Sequence, residues 1–64
     1  MKILHDSEID AITLIFSQEK IETSEEITPG IIIDYTEQGQ IVSIEILEAS
    51  ERLPLPQLLE SVIA

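Results

Sequence analysis

The chain contains no cysteine and no tryptophan, and only two aromatic residues, Phe16 and Tyr35, among its 64 positions. Without cysteine no disulfide can staple a small domain, and thiolate nucleophiles, redox pairs and cysteine zinc sites are all excluded. Basic residues are almost as scarce. Lys2, Lys20 and Arg52 stand against thirteen acids, for a formal net charge of −10. Such a surface repels phosphates and anionic headgroups, so direct nucleic-acid binding and membrane association are not expected. Uninterrupted apolar runs last only a few residues and no basic-then-apolar leader is visible, so neither a spanning helix nor a secretion signal is expected. The cytoplasm is the expected location.

What the chain does have is isoleucine. Hydrophobic residues make up 44% of it, with β-branched types prominent, and these fit a pleated, half-buried surface better than a helix. Two such runs, Ile31-Ile32-Ile33-Asp34-Tyr35 and Ile41-Val42-Ser43-Ile44-Glu45-Ile46-Leu47, flank a polar segment that ends in Gly39. That pattern predicts a β-hairpin, with Gly39 suited to a left-handed loop position. Two registers are open. A three-residue loop pairs Thr36 with Gln40 but sets Asp34 beside Val42. A four-residue loop pairs Tyr35 with Gln40, Ile33 with Val42 and Ile31 with Ile44, and it lines one face with Ile31, Ile33, Tyr35, Val42, Ile44 and Ile46. The side-chain period of two favours the second register.

Upstream, Met1 to His5 and Ala11 to Phe16 alternate as short strands around the polar connector Asp6-Ser7-Glu8-Ile9-Asp10. Ile21 to Ile27 reads as an edge strand, where Glu25 and Glu26 discourage sheet-to-sheet association. Downstream, Leu53-Pro54-Leu55-Pro56 cannot sit in a central strand, because proline removes a ladder donor. Pro56 can open a helix, and Leu55, Leu58, Leu59, Val62 and Ile63 then share one stripe. The expected fold is mainly β (α+β), an antiparallel β-meander of four to five strands with a short C-terminal helix. It forms a single small domain, with the meander over 1–50 and the Pro-initiated helix over 53–64.

Reactive constellations are missing. Asp6, Glu8 and Asp10 alternate like the start of a calcium loop, but the sixth and twelfth places hold Ala11 and Ser17 rather than Gly and Glu. His5 is the lone histidine, short of the three or four ligands zinc takes. No serine sits in a nucleophile turn, and Glu25 and Glu26, adjacent on a strand, point to opposite faces. Catalytic, cofactor-binding and metal residues are therefore all read as none, and the protein is expected not to be an enzyme.

The succession Met1-Lys2-Ile3-Leu4-His5-Asp6-Ser7-Glu8-Ile9-Asp10-Ala11, then Thr28-Pro29-Gly30-Ile31-Ile32-Ile33-Asp34-Tyr35, then Gly39-Gln40-Ile41-Val42-Ser43-Ile44-Glu45-Ile46-Leu47-Glu48-Ala49-Ser50 resembles a small bacterial family, domain of unknown function 2283. Members often carry Leu-Tyr-Ile where this chain has Ile12-Thr13-Leu14, and Gly where it has Ser43. The resemblance spans roughly Met1 to Ser50. It implies a small β-rich protein without established activity, and some members look like partners in two-gene toxin–antitoxin-type arrangements.

Both faces of the expected sheet are partly apolar, and one short helix can cover only one of them. A homo-oligomer, dimer or higher, follows from that surplus. Ile31, Ile33, Tyr35, Val42, Ile44, Leu55, Leu58, Leu59 and Val62 are the candidate interface residues. Two functions compete. One is a non-enzymatic protein-interaction module, the antitoxin-like acidic partner of a basic protein. The other is a homo-oligomeric structural domain that holds a small ligand at an apolar face or subunit interface.

Overall fold

The computed structural model describes residues 1–63, with side chains described for residues 1–60. Five strands, β1 (Lys2–Asp6), β2 (Ala11–Ile15), β3 (Thr23–Thr28), β4 (Ile31–Tyr35) and β5 (Ile41–Ile46), precede two helices, α1 (Ala49–Arg52) and α2 (Leu55–Ile63). All five strands form one antiparallel sheet in the order β1-β2-β5-β4-β3. The mainly β fold with a short C-terminal helix is thus as expected. Its β3-β4-β5 part is a simple meander, and the β1-β2 hairpin joins it alongside β5 rather than β3. Residues 16–22 carry the chain from β2 to the far edge. This order gives the centre to β5, which has Val42 and Ile46 buried, and leaves the rim to β3, which is exposed throughout.

Turn chemistry explains each corner. In the first, Asp6 Oδ1 accepts the Glu8 N–H at 3.0 Å, and Asp10 takes a left-handed φ of 54°. In the second, Gly30 sits at φ 86°, and the Arg52 guanidinium lies so close that a Cβ there would meet Nη2 at 3.1 Å. In the third, Thr36 N–H donates to Gln40 O at 2.8 Å, Gly39 N–H returns to Thr36 O at 3.0 Å, and Thr36 Oγ1 accepts the Gln40 N–H at 3.1 Å.

That last corner corrects the expected register. The loop has three residues, with Thr36 closing against Gln40, and Tyr35 lies across from Ile41. A bulge at Val42 then shifts the ladder, so Asp34 pairs with Ser43, Ile33 with Ile44 and Ile31 with Ile46. The bulge reconciles what a plain ladder could not. It keeps the short Gly39 turn and still sets isoleucine across from isoleucine, because one extra residue on β5 reverses the face assignment beyond it.

The register fixes two faces. Ile3, Leu14, Ile44, Ile33 and Glu25 form one cross-strand row of the first face, and His5, Ile12, Ile46, Ile31 and Thr28 the next. The helices close over part of this face. Ile12, Ile46, Ala49 and Leu55 form the buried core, with Ile3, Leu14, Ile44, Leu53, Leu58 and Leu59 packed against it. Ile12 is the one large side chain with no solvent exposure among the described residues, and full burial of such a chain contributes about 1.5–3 kcal/mol. The second face carries the rows Lys2, Ile15, Ser43, Asp34, Ser24 and Leu4, Thr13, Glu45, Ile32, Glu26.

Candidate interaction surfaces

Three polar arrangements position the surfaces of the sheet. The first is the row Ser24–Asp34–Ser43. Asp34 is 5% exposed, and its carboxylate accepts Ser24 Oγ and Ser43 Oγ, each at 2.5 Å. A buried carboxylate needs such donors, because an uncompensated charge there costs several kcal/mol. The two hydroxyls tie β3 and β5 to β4 and hold the register beyond the bulge. The arrangement binds three neighbouring strands together.

The second arrangement joins the two ends of the chain. Asp10 Oδ1 accepts the Ser50 N–H at 3.1 Å, Asp10 Oδ2 accepts Ser50 Oγ at 2.6 Å, and Asp10 O accepts the Ala49 N–H at 2.8 Å. Glu48 precedes α1 in a left-handed conformation and makes no side-chain cap bond, so Asp10 caps this one-turn helix from forty residues away. The third arrangement is Arg52, whose Nη2 donates to Pro29 O at 2.6 Å across Gly30. Together these contacts make Asp10, Gly30, Ser50 and Arg52 the fastening of the helical segment to the sheet. None of the four was picked out from sequence as functional, although the left-handed turn at Asp10 follows from the aspartates of the first connector.

Eight of the nine candidate interface residues have described side chains and fall into three groups. Val42 and Leu55 are buried within the single chain, at 3% and 8% exposure, so their apolar area is already used in the core. Ile44, Leu58 and Leu59 are half-buried against the same core. Ile31, Ile33 and Tyr35 share the helix-covered face, yet they lie outside the helix-packed cluster and stay half-buried. The Val62 side chain lies outside the described residues. Exposed apolar residues elsewhere include Leu4, Ile9, Phe16, Ile21, Ile27 and Ile41.

The sheet ends in two unlike edges. Leu47 N–H donates to Gly30 O and Phe16 N–H to Val42 O, both at 2.8 Å. Because successive backbone groups alternate, Ile31, Ile33 and Tyr35 turn toward β3, and Thr23 and Glu25 turn back toward β4. Ser24 and Glu26 therefore present their N–H and C=O groups on the outer rim of β3. Carboxylates flank that rim on both faces, Glu25 on one and Glu26 on the other. Beyond its end lies a shallow depression lined by Glu19, Lys20, Glu22, Thr36, Glu37 and Gln38. On the opposite edge, the same alternation turns Lys2, Leu4 and Asp6 toward β2 and leaves Ile3 and His5 with outward backbone groups. Among the described residues no group of three or more His, Cys, Asp or Glu side chains is arranged to hold a metal, and no helix is long and apolar enough to cross a membrane.

Residues 2–50 match the family described as Protein of unknown function (DUF2283). Neither a curated protein nor a solved structure gives a match.

Proposed function

The chain belongs to the DUF2283 family over residues 2–50, and from that premise we propose that it is a non-enzymatic, cytoplasmic protein-interaction module whose β3 edge receives an extended strand from a basic protein. The observation that carries this reading is the rim of β3. Its outward backbone groups at Ser24 and Glu26 are an open half-ladder, the usual basis for strand addition. Glu25 and Glu26 place a carboxylate on each face of that half-ladder, and Glu22 and Glu19 continue the charge beyond its end. A strand with lysine or arginine at consecutive positions presents cations on both faces and would meet an opposite charge on each. An acidic or neutral strand would not, so the same charge that keeps two β3 edges apart selects the partner.

An antitoxin-like pairing with a toxin is one form of this reading, supported by the family resemblance. The test is calorimetric titration of the full chain with an extended lysine-rich peptide that carries lysines at consecutive positions, and so on both faces, at low and at high salt. Saturable binding that weakens steeply with salt, and that is lost in the Glu22→Gln/Glu25→Gln/Glu26→Gln variant, is the expected outcome. Equal binding to the variant refutes the assignment to β3. The second reading, a homo-oligomer with a small ligand, has the half-buried strip Ile31–Ile33–Tyr35 in its favour. Native mass spectrometry of freshly purified protein with extra retained mass would support it over the first.

A further inference from the structure

The β1 edge differs from β3 in charge and in symmetry, and the difference names an occupant. We propose that β1 is a self-pairing edge, at which two copies of the chain join their sheets antiparallel in a register centred on Leu4. This surface is separate from the β3 rim, and the proposal does not depend on the basic-partner reading.

The register follows from the ladder. Ile3 and His5 carry the outward N–H and C=O groups of β1, since Lys2, Leu4 and Asp6 turn theirs toward Ile15, Thr13 and Ala11 of β2. Antiparallel self-pairing that uses both outward residues sets Ile3 across from the partner subunit's His5 in hydrogen-bonded pairs. Leu4 then faces the partner subunit's Leu4 on the two-fold axis, and Lys2 faces the partner subunit's Asp6 at each end. All five strand residues are paired, the single lysine of the strand meets its single aspartate twice, and 48%-exposed Leu4 gains an apolar neighbour. The other two symmetric registers centre on Ile3 or on His5. Each pairs fewer strand residues, and neither brings Lys2 to Asp6.

The same operation at the other edge fails. Using Ser24 and Glu26, the outward residues of β3, centres the pair on Glu25 and sets two carboxylates directly opposite each other. One edge of the sheet is thus built to accept its own copy and the other to refuse it.

The absence of cysteine makes the test clean, because a single introduced thiol can form only an intermolecular disulfide. Leu4 would sit in a non-hydrogen-bonded pair, with Cα atoms about 4.5 Å apart, inside the disulfide range of about 4.4–6.8 Å. Under mild oxidation at micromolar concentration, the Leu4→Cys protein should give a disulfide-linked dimer as its main product, and the Gln38→Cys protein, whose thiol lies in the exposed β4–β5 turn, should stay largely monomeric. Sedimentation of the cysteine-free chain supplies a second readout that needs no thiol. Lys2→Asp should weaken self-association about tenfold, and adding Asp6→Lys should restore it. Linking of the Leu4→Cys protein no faster than of the Gln38→Cys protein overturns the proposal, as does a monomer at every concentration or a charge exchange without effect.

Discussion

Truncation of Asp34 to alanine separates a polar row that holds the sheet from one that merely fits in it. Each serine-to-carboxylate hydrogen bond contributes about 1.5–3 kcal/mol, but burial of the carboxylate costs several kcal/mol, so the intact row is close to balanced. Removing the acceptor does not restore the balance. Ser24 is exposed and its hydroxyl returns to water at little cost. Ser43 is only 5% exposed, and its hydroxyl is stranded, which costs about 1–3 kcal/mol. Asp34→Ala should therefore destabilise by about 2–3 kcal/mol, with Ser43 responsible for most of it. Ser24→Ala should cost under about 1 kcal/mol, since the bond it removes lies at a half-wet site. The decisive result is the double variant Asp34→Ala/Ser43→Ala. With both the acceptor and the stranded donor gone, it should be no less stable than Asp34→Ala alone. Urea unfolding followed by circular dichroism measures the wild type, Asp34→Ala, Ser24→Ala, Ser43→Ala and the double variant, with unchanged m-values as the sign that the same fold is being unfolded. An Asp34→Ala loss below about 0.5 kcal/mol, or strict additivity with Ser43→Ala, would refute the reasoning.

Further predictions follow from the other corners of the fold. Asp10→Ala removes the remote cap of α1 and should cost about 1–2 kcal/mol, with faster amide exchange at Ala49 and Ser50 while the β4–β5 ladder stays protected. Gly30→Ala should destabilise more than Gly39→Ala. Both glycines have positive φ, but a Cβ at Gly30 also presses on Arg52, whereas a Cβ at Gly39 meets nothing within 4 Å. Thermal unfolding of the two variants ranks them. Ile12→Ala empties the centre of the core and should cost about 2–5 kcal/mol, most of the stability of a chain this size, so its urea midpoint should fall close to zero.

Most of the strands were legible in the sequence from isoleucine-rich or alternating runs bounded by polar turns. Ile31 to Tyr35 and Ile41 to Ile46 announce a half-buried hairpin, and Gly39 announces its turn. The register was not legible, because a bulge is invisible to counting. Alternation scores Asp34 beside Val42 as an error in the three-residue-loop ladder, and only an extra residue on β5 removes it. Strand order was equally hidden. Nothing local in Ser17 to Glu22 says that the segment carries the chain to the far edge instead of turning back, although the acids of β3 did mark it as a rim strand. The one-turn helix at Ala49–Arg52 escaped because its cap, Asp10, lies at the other end of the chain, where local signals do not reach. The interface residues were read from apolarity alone. That criterion cannot distinguish Val42 and Leu55, spent in the core, from Leu4, which stands at an open edge.

Amide exchange along the β3 rim tests the central claim most directly. In the free chain the N–H groups of Ser24 and Glu26 have no partner strand and should exchange quickly, while those of β4 and β5 exchange slowly. A bound cationic strand should slow Ser24 and Glu26 selectively, and added salt should reverse the protection. Protection that appears elsewhere on the sheet, or that is the same with an acidic strand, would contradict the assignment of β3 as the surface that meets a basic protein.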